Sequence, residues 1–259
     1  MSLEYTILGC ADSHGVPRVG NDWGKCDPRN PKNARSRASL WVKSPQTSLV
    51  VDTGTDFRAQ TIKHGINQLD AVLYSHAHSD HIAGIDDIRH YVHQTKAKIP
   101  IYANKICLKY LMNRYDYLFQ SKSEFYPALA EGHVLEDYGH YSVNDINFQT
   151  YDVVHGHEKT TGFRFGDVGY TLDFKEFSAP KKAINALKGI KTWIVDCGGL
   201  LFENNPVHAS LSIIQDLNAS IGAERVILSS LSSYIDYEHE TIGLPDGYEL
   251  AYDGLSFRN

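Results

Sequence analysis

His76-Ala77-His78-Ser79-Asp80-His81 puts four side chains able to coordinate a cation within six positions. The run follows Asp70-Ala71-Val72-Leu73-Tyr74-Ser75, an apolar stretch with the composition of a short buried strand. A strand ending in a loop can turn His76 and His78 toward one cation, while Asp80 and His81 face a second beside it. Imidazole and carboxylate together suit zinc, manganese or iron better than magnesium or calcium. A lone loop histidine is ordinarily just solvated, but four ligand types at one strand end are not accounted for in that way. Cations bound at such a centre can acidify water and neutralise charge developing on a neighbouring group.

The elements that must position this centre can be read from composition and turn formers. Strand-like runs occur at 5–8, 39–42, 48–51, 71–74, 99–102, 146–154, 162–165, 169–172, 192–195 and 225–228. Helical patterns fall at 56–63, 82–93, 105–117, 180–187 and 208–217. The early strands succeed one another as a meander, which suits two mainly β layers with helices outside better than a doubly wound sheet. No repeat, low-complexity tract or long linker divides the 259 residues, so a single domain over residues 1–259 is expected. The segment from Gly15 to Arg37 is long, polar and rich in turn formers, as functional loops often are.

Composition narrows the function classes. Lys+Arg 25 against Asp+Glu 31 gives a net charge of −6, a poor match to nucleic-acid phosphate or an anionic membrane. Cys10, Cys26, Cys107 and Cys197 are scattered without a C-x-x-C pair, so the expectation is a reduced, cytoplasmic protein without disulfides. No secretory signal pattern opens the chain and no apolar run reaches membrane-spanning length.

His76-Ala77-His78-Ser79-Asp80-His81 matches the H-x-H-x-D-H signature of the metallo-β-lactamase superfamily, which the chain resembles over nearly its whole length. Asp52-Thr53-Gly54-Thr55-Asp56-Phe57-Arg58 and Gly84-Ile85-Asp86-Asp87-Ile88-Arg89 resemble the branch holding the phosphonate-pathway cyclic phosphodiesterase and ribonuclease Z. Ser13-His14-Gly15-Val16-Pro17 and Leu244-Pro245-Asp246-Gly247 fit the same branch. The resemblance implies an α+β fold, a four-layer αββα sandwich with metals at one edge between the sheets. It also implies two further ligands: His155, after a strand and before Gly162-Phe163-Arg164, with His157 as its competitor, and a bridging Asp173 at the end of Gly169-Tyr170-Thr171-Leu172.

The pattern breaks in two places. The last family ligand is a histidine in an L-T-H segment, and the matching stretch here reads Leu228-Ser229-Ser230-Leu231-Ser232-Ser233. Ser230 stands where the histidine is expected, and a serine hydroxyl is a poor transition-metal ligand. The first site then keeps His76, His78, His155 and Asp173. The second keeps Asp80, His81 and Asp173, with His239 as a distant candidate replacement. One tightly held and one weak metal, zinc or manganese, is the expectation, with activity impaired if the second is needed. In the long loop only Cys26 remains of a family C-x-C-x-x-C cluster, and one thiolate cannot close a structural zinc site.

The resemblance implies a metal-dependent hydrolase of the phosphodiesterase kind, acting on a small cyclic or nucleotide-like phosphodiester through metal-activated water. Asp80 or Asp173 would orient the water, and His208 either lines the pocket or holds a helix start. Thioester or lactone hydrolysis, and a non-catalytic nucleotide- or metal-binding role following from Ser230, are the alternatives. Arg18, Lys25, Arg35 and Arg37 are candidate phosphate contacts, with internal ion pairs as the competing role. Expected partners are a small phosphodiester or nucleotide, without membrane or long nucleic acid, and a second copy of the chain is the assembly to test.

Overall fold

Strand alternation decides the architecture. In β3 (Ser48–Val51) Leu49 and Val51 enter one apolar cluster and Val50 another. β4 (Ala71–Tyr74) repeats this, with Ala71 and Leu73 on one side and Val72 and Tyr74 on the other. Both faces of these strands are buried, so each sheet must be covered twice. The computed structural model, which describes residues 2–259, shows how: two seven-stranded sheets stack face to face and helices cover both outer faces.

The first sheet holds β1 (Glu4–Gly9), β2 (Ser39–Lys43), β3, β4, β5 (Ile99–Asn104) and β6 (Ala130–Leu135), with the last strand, β14 (Ser256–Arg258), on the outer edge of β1. β1 and β14 run antiparallel with Glu4 opposite Arg258 and Tyr5 opposite Phe257. The second sheet holds β7 (His140–Val143), β8 (Ile146–His155), β9 (Glu158–Phe165), β10 (Val168–Thr171), β11 (Thr192–Asp196), β12 (Arg225–Ser229) and β13 (Tyr248–Leu250). Leu40, Leu73, Phe163, Phe165, Ile194 and Ile227 meet between the sheets. On one outside face α1 (Phe57–His64), α3 (Arg89–Thr95), α4 (Lys105–Arg114) and α5 (Asp116–Phe119) cover the first sheet through Phe57, Tyr91, Leu108, Leu111 and Leu118. On the other, α6 (Pro180–Leu187) and α7 (Leu211–Ile221) cover Trp193, Val195 and Val226. This is the expected αββα sandwich.

Three expectations need correction. The strands from β3 to β6 and from β10 to β13 are parallel neighbours, so each sheet is half meander and half crossover. The pattern at 82–93 resolves into α2 (Ser79–Ile82), a 3-10 turn at Ile85–Ile88 and α3, with Gly84 between them. The helix expected from His208 begins at Leu211, because the Ser210 side chain accepts from Ile213 N and caps it. His208 is thereby left in a loop at the rim.

Parallel strands deliver their carboxyl ends to one edge of each sheet. Asp52 follows β3, His76 to His81 follow β4, Asp173 follows β10, Asp196 ends β11 and Ser230 follows β12.

Candidate metal centre

The loop after β4 is shaped by its neighbours before any ligand is considered. Thr53 N donates to the His81 carbonyl at 2.8 Å and Gly84 N to the Thr53 carbonyl at 2.8 Å, clamping the loop between the turns after β3 and α2. A Cβ on Gly54 would lie 2.0 Å from the Asp80 carbonyl oxygen, so only glycine permits this approach. Asp52, at φ +63° and fully buried, accepts from Ser75 N at 2.8 Å, from Ser75 Oγ at 2.7 Å and from His81 Nδ1 at 2.7 Å. Its carboxylate therefore fixes the His81 tautomer and leaves Nε2 to face the site.

Asp173, at φ +46°, reaches the same space from the other sheet. Its Oδ2 lies 3.1 Å from His76 Nε2, 3.3 Å from His81 Nε2 and 3.7 Å from His155 Nε2. Asp80 Oδ2 lies 3.3 Å from His81 Nε2. One ligand atom each from His76, His78 and Asp173 falls within 4.8 Å of the others, and the same holds for Asp80, His81 and Asp173. His155, the last residue of β8, is steered by Nδ1 donating to the Val207 carbonyl at 2.9 Å. The structure thus gathers five of the six residues named from the sequence as ligands into these two groups and sets His155 at their edge, 3.7 Å from Asp173. His157, the competitor of His155, is exposed in the turn just beyond it.

Electrostatics follow from burial and crowding. Burial opposes charge on His76, and the neighbouring His81 pushes its pKa down further. Burial also opposes charge on His81, but the Asp173 and Asp52 carboxylates override it and hold its pKa well above the ordinary imidazole value. Burial would raise the Asp173 carboxyl, yet His81 and His76 hold it well below the usual range. His76 is 2% exposed and its Nε2, despite Asp173 nearby, has no well-directed hydrogen bond. A buried nitrogen without a partner is costly, and a cation among His76, His78 and Asp173 would satisfy it. The residues fit a divalent metal.

His208 stands at the rim, its ring centroid 5.0 Å from that of His155. Its Nδ1 donates at 2.7 Å to Asp196, a fully buried carboxylate that also accepts from Phe174 N and Gly198 N. Burial works against its charge, but Asp196, then Asp173 and Asp12, push its pKa up to about 9. One ligand atom each from Asp173, Asp196 and His208 forms a third such group, and Ser230, at φ +59° and 2% exposed, belongs to none of the three among the described residues; its Oγ has no hydrogen-bond partner. His239 is exposed on α8 (Tyr237–Thr241), where its Nδ1 meets Glu240.

Other candidates find structural roles. Cys26 is buried, with Sγ donating to the Ile235 carbonyl at 3.2 Å. Arg35 is buried and donates to the same carbonyl at 2.8 Å, Arg37 pairs with Asp56 at 3.0 Å and Arg18 pairs with Asp22, leaving Lys25 exposed. Sequence reasoning gave no role to Asp52, Asp196 or Glu158, whose Oε2 lies 3.1 Å from His78 Nε2. The signal was present for the first two, each a carboxylate at the end of an apolar strand.

A family model described as a beta-lactamase superfamily domain matches residues 47–229. A crystal structure of a diphosphatase from the PhnP family is 29% identical, covers 100% of this chain and 98% of that one, and superposes with a TM-score of 0.87. The short form of human tRNase Z, 13% identical and covering 98% of both chains, shares the fold at a TM-score of 0.70. An octanoyltransferase of Porphyromonas gingivalis is 29% identical over 98% of this chain, which spans only 51% of that protein's length.

Proposed function

Because residues 47–229, well over half of it, match the family model, the chain belongs to the β-lactamase superfamily, and on that premise we propose that it is a metal-dependent phosphodiesterase of small cyclic or nucleotide-like substrates. The observation that carries the reading is the single Asp173 oxygen within 3.7 Å of three imidazole nitrogens from two sheets, the arrangement a bridging carboxylate needs.

His76, His78, His155 and Asp173 would hold one cation, zinc or manganese, and Asp80, His81 and Asp173 a second and weaker one. Cations there supply Lewis-acid charge and lower the pKa of water toward neutrality. The side chains do the rest. Asp80, held ionised mainly by His81 against its burial, accepts a hydrogen bond from the attacking water and orients it. Asp173 fixes the three imidazoles relative to one another. His208, kept protonated by Asp196, gives its proton to the departing oxygen, so that the alcohol leaves neutral. Two carboxylates and four imidazoles around one point balance charge spread over phosphoryl oxygens once cations are present. We place the protein in the cytoplasm as a single domain, with a homodimer as the assembly to test.

Pure protein supplied with zinc or manganese is expected to hydrolyse bis(p-nitrophenyl) phosphate, and Asp173→Ala to abolish both turnover and tight metal binding. No turnover of any phosphodiester with either metal, beside rapid hydrolysis of an octanoyl thioester, would overturn the proposal. That acyl reading is supported by the likeness to a protein named an octanoyltransferase. Ser230 supports a third reading, a binding protein, which predicts no turnover in wild type and recovery in Ser230→His.

A further inference from the structure

A cavity of about 540 Å³ opens beside the metal centre, floored by the segment from His76 to His78. One wall is the first turns of α4, with Ile106 and Tyr110, and the other is the tip of the β8–β9 hairpin, with His157 and Glu158. α4 already has an inward face in Cys107, Leu108 and Leu111. Ile106 and Tyr110, one helical turn apart, form a second apolar stripe, and they are 78% and 44% exposed. That stripe faces the cavity.

The lining selects the occupant. Six of its ten residues, His76, His78, Asn104, His157, Glu158 and Lys159, are polar, so a plain alkyl chain would leave polar groups without partners. Asn104 is already committed, its Oδ1 capping α4 and its Nδ2 on Thr161, and Lys159 pairs with Asp137. Glu158 differs: among the described residues its only side-chain partner is His78 Nε2, the nitrogen a metal would claim. A half-exposed aromatic ring opposite an imidazole, with one carboxylate left to accept hydrogen bonds, matches a flat heterocycle attached to a hydroxylated sugar.

We infer that this pocket holds the nucleoside part of a nucleotide phosphodiester, with the base stacked on Tyr110 and the ribose hydroxyls bonded to Glu158. The inference rests on the phosphodiesterase reading for the position of the phosphate; it narrows that reading to a nucleotide and adds the residues that select it.

Two measurements test it separately from catalysis. The first is calorimetric titration of AMP into the zinc-loaded protein. Tyr110→Ala is expected to weaken binding about 5- to 150-fold, the effect of removing one stacking platform, and Tyr110→Phe to restore it. The second is the ratio of kcat/KM for uridine 5′-(p-nitrophenyl phosphate) to that for methyl p-nitrophenyl phosphate, which share a leaving group. Tyr110→Ala is expected to lower this ratio by a similar factor, and Glu158→Gln to lower it less. Equal AMP affinity in wild type and Tyr110→Ala, or an unchanged ratio, overturns the inference. So does an octanoyl thioester that occupies the pocket while AMP does not. AMP binding that depends on Tyr110 without turnover of either ester supports the pocket and removes the catalytic reading instead.

Discussion

Asp52→Asn isolates the support behind the second metal from the metal ligands themselves. Asp52 accepts three hydrogen bonds of 2.7–2.8 Å in a fully buried setting, two from Ser75 and one from His81 Nδ1. An asparagine can keep Ser75 N on its oxygen but presents an N–H where Oδ2 was. The Ser75 hydroxyl can rotate to accept it. His81 must instead change tautomer, moving its proton to Nε2, the atom 3.3 Å from both Asp80 and Asp173. A protonated Nε2 cannot ligate. Loss of such outer hydrogen bonding typically weakens metal affinity about 10- to 100-fold, equivalent to about 1.4–2.7 kcal/mol. The backbone adds little, because asparagine tolerates the left-handed φ of +63° where alanine would be strained. The assay is calorimetric titration of metal-free protein with zinc, with bound metal counted after dialysis. The weaker of the two binding events should move by that factor and the tighter one by less than about threefold. An unmoved weaker event, or a shift confined to the tighter one, would refute the account of Asp52.

Ser230→His should raise second-site affinity at least about tenfold, since imidazole replaces a hydroxyl that ligates poorly and histidine is enriched at positive φ; the readout is dialysis-resistant metal approaching two per chain. His208, with a pKa pushed up to about 9, is a competent acid below that value and loses its proton as pH rises through it. kcat should therefore fall on an alkaline limb near that pH, and His208→Asn should remove the limb while lowering kcat about 10²- to 10⁴-fold. Gly162→Ala should destabilise the fold by about 1–3 kcal/mol in urea melts. The new Cβ would lie 2.0 Å from the Tyr151 ring, whose hydroxyl is tied to the Tyr170 carbonyl and to Thr171 Oγ1.

The first part of the centre was legible because His76 to His81 are chemically unusual and clustered in one loop, while His155 and Asp173 were reached only through the resemblance of their flanking segments to the family. Strands buried on both faces, such as β3 and β4, were legible as apolar runs with matching boundaries. Their parallel pairing was not, because an apolar run carries no sign of direction. The strands missed were β6, β7, β13 and β14, edge or near-edge strands whose mixed burial leaves no clean alternation. Asp196 was overlooked for a different reason. Its value lies in a partner twelve residues away, and only the fold brings His208 back to it.

The pairing of β1 with β14 brings the first and last strands of the fold together. Arg258 Nη2 lies 2.7 Å from Glu4 Oε2, while the other end of β1 leads into Ala11, which bridges to Leu231 beside the metal rim. Glu4 and Arg258 thus lie at the back of the sandwich, a strand's length from the chemistry. A short linker could join them and new ends be opened in a surface loop, the geometry in which circular permutants succeed. For the same reason a purification tag or a fused enzyme at either end would hang behind the molecule and leave the mouth of the pocket open to substrate.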